Sequence, residues 1–132
     1  MNTFSITTRK NIIASLIAPL AVIPASLVLT IYSLIANGSS LSKLTSETFF
    51  LIFIGLIYSY PLTILFGFTS VLILKRFKMY NLFNTLVIAV LVATIVCSFI
   101  VLTISVWLFA SYYAVIVASI YWYVFNKVAN KI

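Results

Sequence analysis

Few residues in this chain are able to carry covalent or acid–base chemistry. Glu47 is the only acidic side chain, and the sequence holds no His and no Asp. A carboxylate pair for hydrolysis or for clasping metal ions therefore cannot be assembled. A serine nucleophile would find no His to activate it, and zinc or haem would find no imidazole. Cys97 is the only cysteine, so it forms no internal disulfide and builds no thiolate cage. It lies inside an apolar run, where a small packing residue is expected. None of the three glycines opens a phosphate-binding loop. A Ser–Lys pairing is formally available, but the sequence places no serine beside a lysine at membrane depth. The expectation is a protein that is not an enzyme, with no catalytic residue, no cofactor and no metal.

What remains is positive charge. Eight Lys or Arg face one Glu, for a net charge of +7. The cations do not form a continuous basic face, so nucleic acid is not the expected partner. They sit in short clusters beside apolar runs, which is the pattern of topology signals and of contacts with anionic lipid. Lys75, Arg76 and Lys78 form the densest cluster and are candidates for a cytoplasmic lipid or partner contact.

The elements that must place these charges follow from composition. Of 132 residues, 64% are apolar and 7% charged, and the mean hydropathy is +1.27. A soluble domain would be roughly a quarter charged. A spanning helix needs about 20 apolar residues, so the chain holds four spans and little else. The reading is an all-α integral membrane protein, a compact bundle of four transmembrane helices in a single domain over 1–132. The spans fall at approximately 12–36, 49–74, 83–105 and 108–126. A β-barrel would alternate apolar and polar residues, and the run Leu86–Ile104 does not. The first apolar run exceeds the 7–15 residues of a signal-peptide core, so it is read as a retained helix.

Details of each span carry expectations. Asn37-Gly38 ends the first helix, since both tolerate the left-handed conformation. Thr45 or Ser46 caps the second, with Glu47 in its first turn near the positive dipole end. Tyr58 and Tyr60 fall near mid-span and are expected inside the bundle with paired hydroxyls. Asn81 and Asn84 bond the start of the third helix. From Leu86 to Phe125 no charge, Gly or Pro interrupts the chain. One helix of that length would be about 60 Å long, so it must fold back, and the turn is placed near Ser105–Ala110 with Trp107 at the interface. Tyr121, Trp122 and Tyr123 read as an aromatic belt. Pro19, Pro24 and Pro61 are candidate hinges, because proline removes a backbone donor and kinks a helix.

With the N-terminus cytoplasmic, seven cations lie inside (Arg9, Lys10, Lys75, Arg76, Lys78, Lys127, Lys131) and Lys43 alone lies outside. That bias fits four spans with both termini cytoplasmic, in a bacterial inner membrane. Small residues recur at spacing four, which keeps them on one helical face. They are Gly55, Ser59, Thr63 and Gly67 in the second span, Ala89 and Ala93 in the third, and Ala110, Ala114 and Ala118 in the fourth. Ala14 and Ala18, then Ala21 and Ala25, do the same in the first. Small faces let membrane helices approach closely, so these are candidates for helix packing or a subunit interface.

Two functional readings stay open. One is a non-enzymatic membrane protein acting through helix–helix or protein-partner contacts, as an accessory subunit, a sensor or anchor, or an immunity protein against a membrane toxin. The other is a homo-oligomeric channel or holin-like permeability factor lined by Ser, Thr and Tyr. Expected partners are membrane lipids, anionic at the cytoplasmic face, with further copies of the chain or a second protein.

Overall fold

The computed structural model describes residues 3–38, 40–100, 103–128 and 131. Among these residues the chain is 92% helix, with no strand. Four helices are long and apolar enough to cross a membrane: Ile6–Asn37, Thr45–Arg76, Leu82–Ile100 and Ile104–Lys127. They are called the first to fourth helices below.

The first helix is continuous from Thr3 but changes pitch at Ala18–Ala21, a 3-10 turn with Pro19 near its start. Proline lacks the N–H that an α-turn would use, and the tighter turn absorbs its loss. Gly38 ends the helix as expected. Its φ of 59° is left-handed, and its N–H bonds Leu34 O at 3.1 Å. The second helix starts at Leu41 after an extended Ser40, earlier than Thr45 or Ser46. Glu47 therefore sits in the second turn, not the first. Beyond Gly38 the polar stretch contains no glycine or proline, so nothing stops the helix from extending into it. Pro61 lies inside this helix and is followed by a π-turn at Thr63–Gly67, after which the helix runs on as Phe68–Arg76. It ends sharply at the basic cluster: Met79 N–H reaches back to Leu74 O at 2.9 Å, with Lys78 left-handed at φ 55°.

Asn81 caps the third helix, accepting the Asn84 N–H on its side chain at 2.8 Å, while Asn84 Nδ2 donates to Met79 O at 2.7 Å. This is the role expected of both residues. The fold-back comes earlier than Ser105–Ala110. The third helix ends at Ile100, the fourth begins at Ile104 after an extended Thr103, and 101–102 lie outside the described residues. Trp107 is thus already helical. Its indole N–H donates to Thr94 Oγ1 at 2.8 Å. An antiparallel pair that matches 94 with 107 must turn midway between them, and that midpoint lies near 100–101.

The helices stand in a curled row. The third lies along the fourth, the fourth along the first, and the first along the second. The second and third helices, at the two ends of the row, meet chiefly where Phe68–Arg76 nears the third helix. The buried core gathers Ala14, Ala18 and Val22 of the first helix with Val71, Val117, Tyr121, Val124 and Phe125. Ala14 and Ala18 are fully buried, so the small face of the first helix does admit its neighbours closely.

Candidate functional site

No described cluster of His, Cys, Asp or Glu could hold a metal. What the fold does build is a groove of about 570 Å³ between the second and third helices. The second helix forms one wall from Leu51 to Leu74, the third forms the other from Thr85 to Ile100, and the fourth is the floor. At 1.5 Å per residue, Leu51 to Leu74 is about 35 Å of helix. The lining is almost wholly apolar, and the volume is within the ~300–1,000 Å³ usual for ligand sites.

All nine candidate packing residues border this groove. Gly55, Ser59, Thr63 and Gly67 come from the second helix, Ala89 and Ala93 from the third, and Ala110, Ala114 and Ala118 from the fourth. Cys97 is there too, buried among them. Two of the nine are also committed inside the fold. A Cβ on Gly55 would lie 2.5 Å from Val22 Cγ1, and one on Gly67 would lie 3.0 Å from the Tyr121 ring. Only the missing side chain lets these helices meet at that distance. Pro24 is exposed, Pro19 is buried in the 3-10 turn, and Pro61 is exposed on the second helix ahead of the π-turn that borders the groove.

On its other side the second helix is fastened to the first. Thr30 donates its hydroxyl proton to Ser26 O at 2.9 Å, and the Thr30 and Thr48 hydroxyls pair at 2.6 Å. Tyr60 OH reaches Leu16 O at 3.3 Å. Tyr58 is different: it is 55% exposed and faces away from the core, contrary to the expectation that both tyrosines pack inside. A smaller cleft of about 320 Å³ lies near the Glu47 end between these two helices, around Leu27, Thr45 and Phe49.

At one end of the groove the chain gathers its polar and cationic groups. Tyr121 is buried, not part of an exposed belt, and its hydroxyl donates to Asn11 Oδ1 at 2.7 Å. The sequence missed this because a tyrosine near a helix end serves equally as a belt or a core residue. Asn11 was the available signal: an amide in an apolar run needs a partner. Its Nδ2 stays buried without a hydrogen bond, as does Ser59 Oγ. Burial raises the Tyr80 hydroxyl well above the ordinary tyrosine pKa. Nearby Tyr121 adds to the rise and Asn126 offsets part of it, so Tyr80 stays a neutral hydroxyl at any physiological pH.

Lys75 Nζ lies 4.6 Å from the centre of the Phe125 ring and 5.9 Å from that of Tyr80. Tyr80 and Phe125 meet edge to face at 5.3 Å, and Tyr121 stacks beyond. The ammonium thus rests on an aromatic shelf at the groove's end. Lys10 is near enough to repel it. Contacts of Asn11 with Tyr121, and of Lys75 with Phe125, put the start of the first helix and the ends of the second and fourth together. Arg9, Lys10, Lys75, Arg76, Lys78 and Lys127 therefore share one end of the bundle, while Lys43 and Glu47 sit at the other.

No family model matches this chain, and no curated protein or solved structure matches it either.

Proposed function

We propose that this chain is a non-enzymatic integral membrane protein that works by seating a membrane-spanning element of another protein in the groove between its second and third helices. Four helices cross the bilayer with both termini cytoplasmic, in a bacterial inner membrane. The outward side chains support immersion in lipid: Ile35 is 77% exposed, Phe49 70% and Phe99 87%. The seven-to-one cation asymmetry supports the orientation.

One observation carries the reading. The groove runs for most of the bilayer's ~30 Å hydrocarbon thickness, and both walls and the floor present small side chains to it. Apolar area alone drives no association in lipid, since the tails are just as apolar. Close backbone approach and dispersion contact do. A groove with small walls is therefore a place where a helix gains more than a lipid tail would.

The test is site-specific photocrosslinking in the native membrane. A photoreactive residue at Ala89, which borders the groove, is expected to give one protein adduct of defined mass. The same residue at Ile95, which is 55% exposed on the same helix away from the groove, is expected to give none. Adducts only between copies of the chain, together with ion flux from the purified protein in liposomes, would establish the homo-oligomeric channel instead. Orientation is checked by labelling a cysteine introduced at Ser40 against one at Lys78, in a Cys97→Ala background. Reaction from opposite sides is expected.

A further inference from the structure

The second helix brings three hydroxyls to the groove halfway along its length. Tyr58, Ser59 and Thr63 border the groove and straddle the middle of the Thr45–Arg76 span. Hydroxyls elsewhere in the spans donate to the carbonyl one turn back, as those of Thr30, Thr69, Thr94, Ser98 and Ser119 do. These three do not. Ser59 Oγ is buried without a hydrogen bond, and among the described residues none pairs with the hydroxyl of Tyr58 or of Thr63. Thr63 is 7% exposed, at the start of the π-turn that follows Pro61, and Tyr58 is 55% exposed. A hydroxyl without a partner is costly in hydrocarbon, where no water can replace one. A tyrosine side chain is too short to carry its hydroxyl from mid-span to the interface, about 15 Å away. The groove therefore asks for a polar group at the one depth where the bilayer supplies none.

Resting on the partner-binding reading above, we infer that the occupant is a transmembrane helix of a different protein that carries a carboxamide side chain, Asn or Gln, halfway across, and that this amide pairs with the hydroxyls of Tyr58, Ser59 and Thr63. A carboxamide both donates and accepts, so one group serves more than one hydroxyl. It is uncharged, so it enters hydrocarbon at far lower cost than a carboxylate or an ammonium. A lipid does not fit. Its polar groups stay at the interface, and at mid-depth it presents only the ends of its acyl chains. A second copy of this chain fits no better. Near this depth it turns outward Leu20 and Leu27 of the first helix, Ile57 and Ile64 of the second, and Leu91 and Ile95 of the third. None of these side chains can bond a hydroxyl.

The experiment uses the full chain in phosphatidylcholine vesicles and three synthetic Ala/Leu transmembrane peptides with identical lysine ends. One has Asn at its centre, one has Leu at its centre, and one has Asn displaced by two turns. Binding is read by energy transfer from a labelled chain, at dilutions that keep the peptides monomeric. The central-Asn peptide is expected to bind about fivefold more tightly than the central-Leu peptide, the scale of a hydrogen bond between membrane helices. The displaced-Asn peptide should bind no better than the Leu peptide. Tyr58→Phe and Ser59→Ala should each reduce the central-Asn advantage, and the two together should remove it, with Leu-peptide binding unchanged. Ala89→Phe, which fills the groove, should abolish binding of all three with little change in helicity or melting. If the three peptides bind equally and Ala89→Phe abolishes them all, the groove holds a helix but the amide inference is overturned. If the central-Asn advantage survives Tyr58→Phe with Ser59→Ala, these hydroxyls are not its cause and the inference falls. If no peptide binds, or binding persists in Ala89→Phe, both readings fall. Energy transfer between copies of the chain that exceeds transfer to the central-Asn peptide would make the occupant a second copy and overturn the inference.

Discussion

The two flanks of the second helix meet their neighbours on different terms. Toward the first helix it has Gly55 against Val22, the hydroxyl pair Thr48–Thr30 with Thr30 on Ser26 O, and Tyr60 on Leu16 O. Toward the third it offers Tyr58, Leu62 and Phe66 to an open groove, with Ser59 and Thr63 beneath them. Both flanks are rich in small and hydroxyl-bearing residues. What separates them is reciprocity: a small residue closes a gap only where the opposite helix has a side chain shaped to fill it. Val22 fills the space over Gly55, while Phe66 on the other flank stays 41% exposed.

This contrast predicts a ladder of substitution effects. Gly55→Leu should be the most damaging. A branched side chain cannot fit where a single Cβ already meets Val22, and overpacking costs about 1–3 kcal/mol or more. A large drop in melting temperature in detergent is expected, and no drop would mean that the first two helices do not touch here. Tyr121→Phe comes next. It keeps the ring on Gly67 but leaves the Asn11 amide, 1% exposed, with neither end paired. The loss should be about 1–2 kcal/mol, read as a lower midpoint in a denaturant titration. Thr48→Val deletes one hydroxyl bond between helices at similar volume. Such bonds average about 0.6 kcal/mol in membrane bundles, so the midpoint should move only slightly. Ala89→Phe should be the mildest, within about 0.5 kcal/mol of wild type, because its new ring enters open groove. Should Ala89→Phe cost as much as Gly55→Leu, the second and third helices would have to be in contact, and the contrast between the flanks would fail.

Much of the fold was legible in the chain. Apolar runs located four helices, Asn37-Gly38 located the first stop, and Asn81 and Asn84 the third start. The spacing-four pattern picked out nine of the small residues that line the groove, though not Ser70. The turn between the third and fourth helices was misplaced because 86–125 holds no Gly, Pro or charge to mark it. The Trp107–Thr94 bond and the packing of the two helices fix that register. Tyr121 and Tyr58 were exchanged in role for a related reason. A tyrosine is apolar along its body and polar at its tip, so it suits core and surface alike. The decision fell to Asn11, which is distant in sequence and adjacent in space.

The sequence by itself determined the helices, the gathering of cations at one end, and the scarcity of groups for acid–base chemistry. These follow from composition and local order, since a helix closes its own backbone hydrogen bonds without help from its neighbours. The tertiary structure alone decided which small faces pair and which one stays open. Helices that are apolar nearly all round carry no strong periodic signal for a neighbour. Their arrangement rests on a few close fits, Gly55 with Val22 and Gly67 with Tyr121, and on a few hydroxyl bonds. The groove is the face where no partner within the chain supplies such a fit.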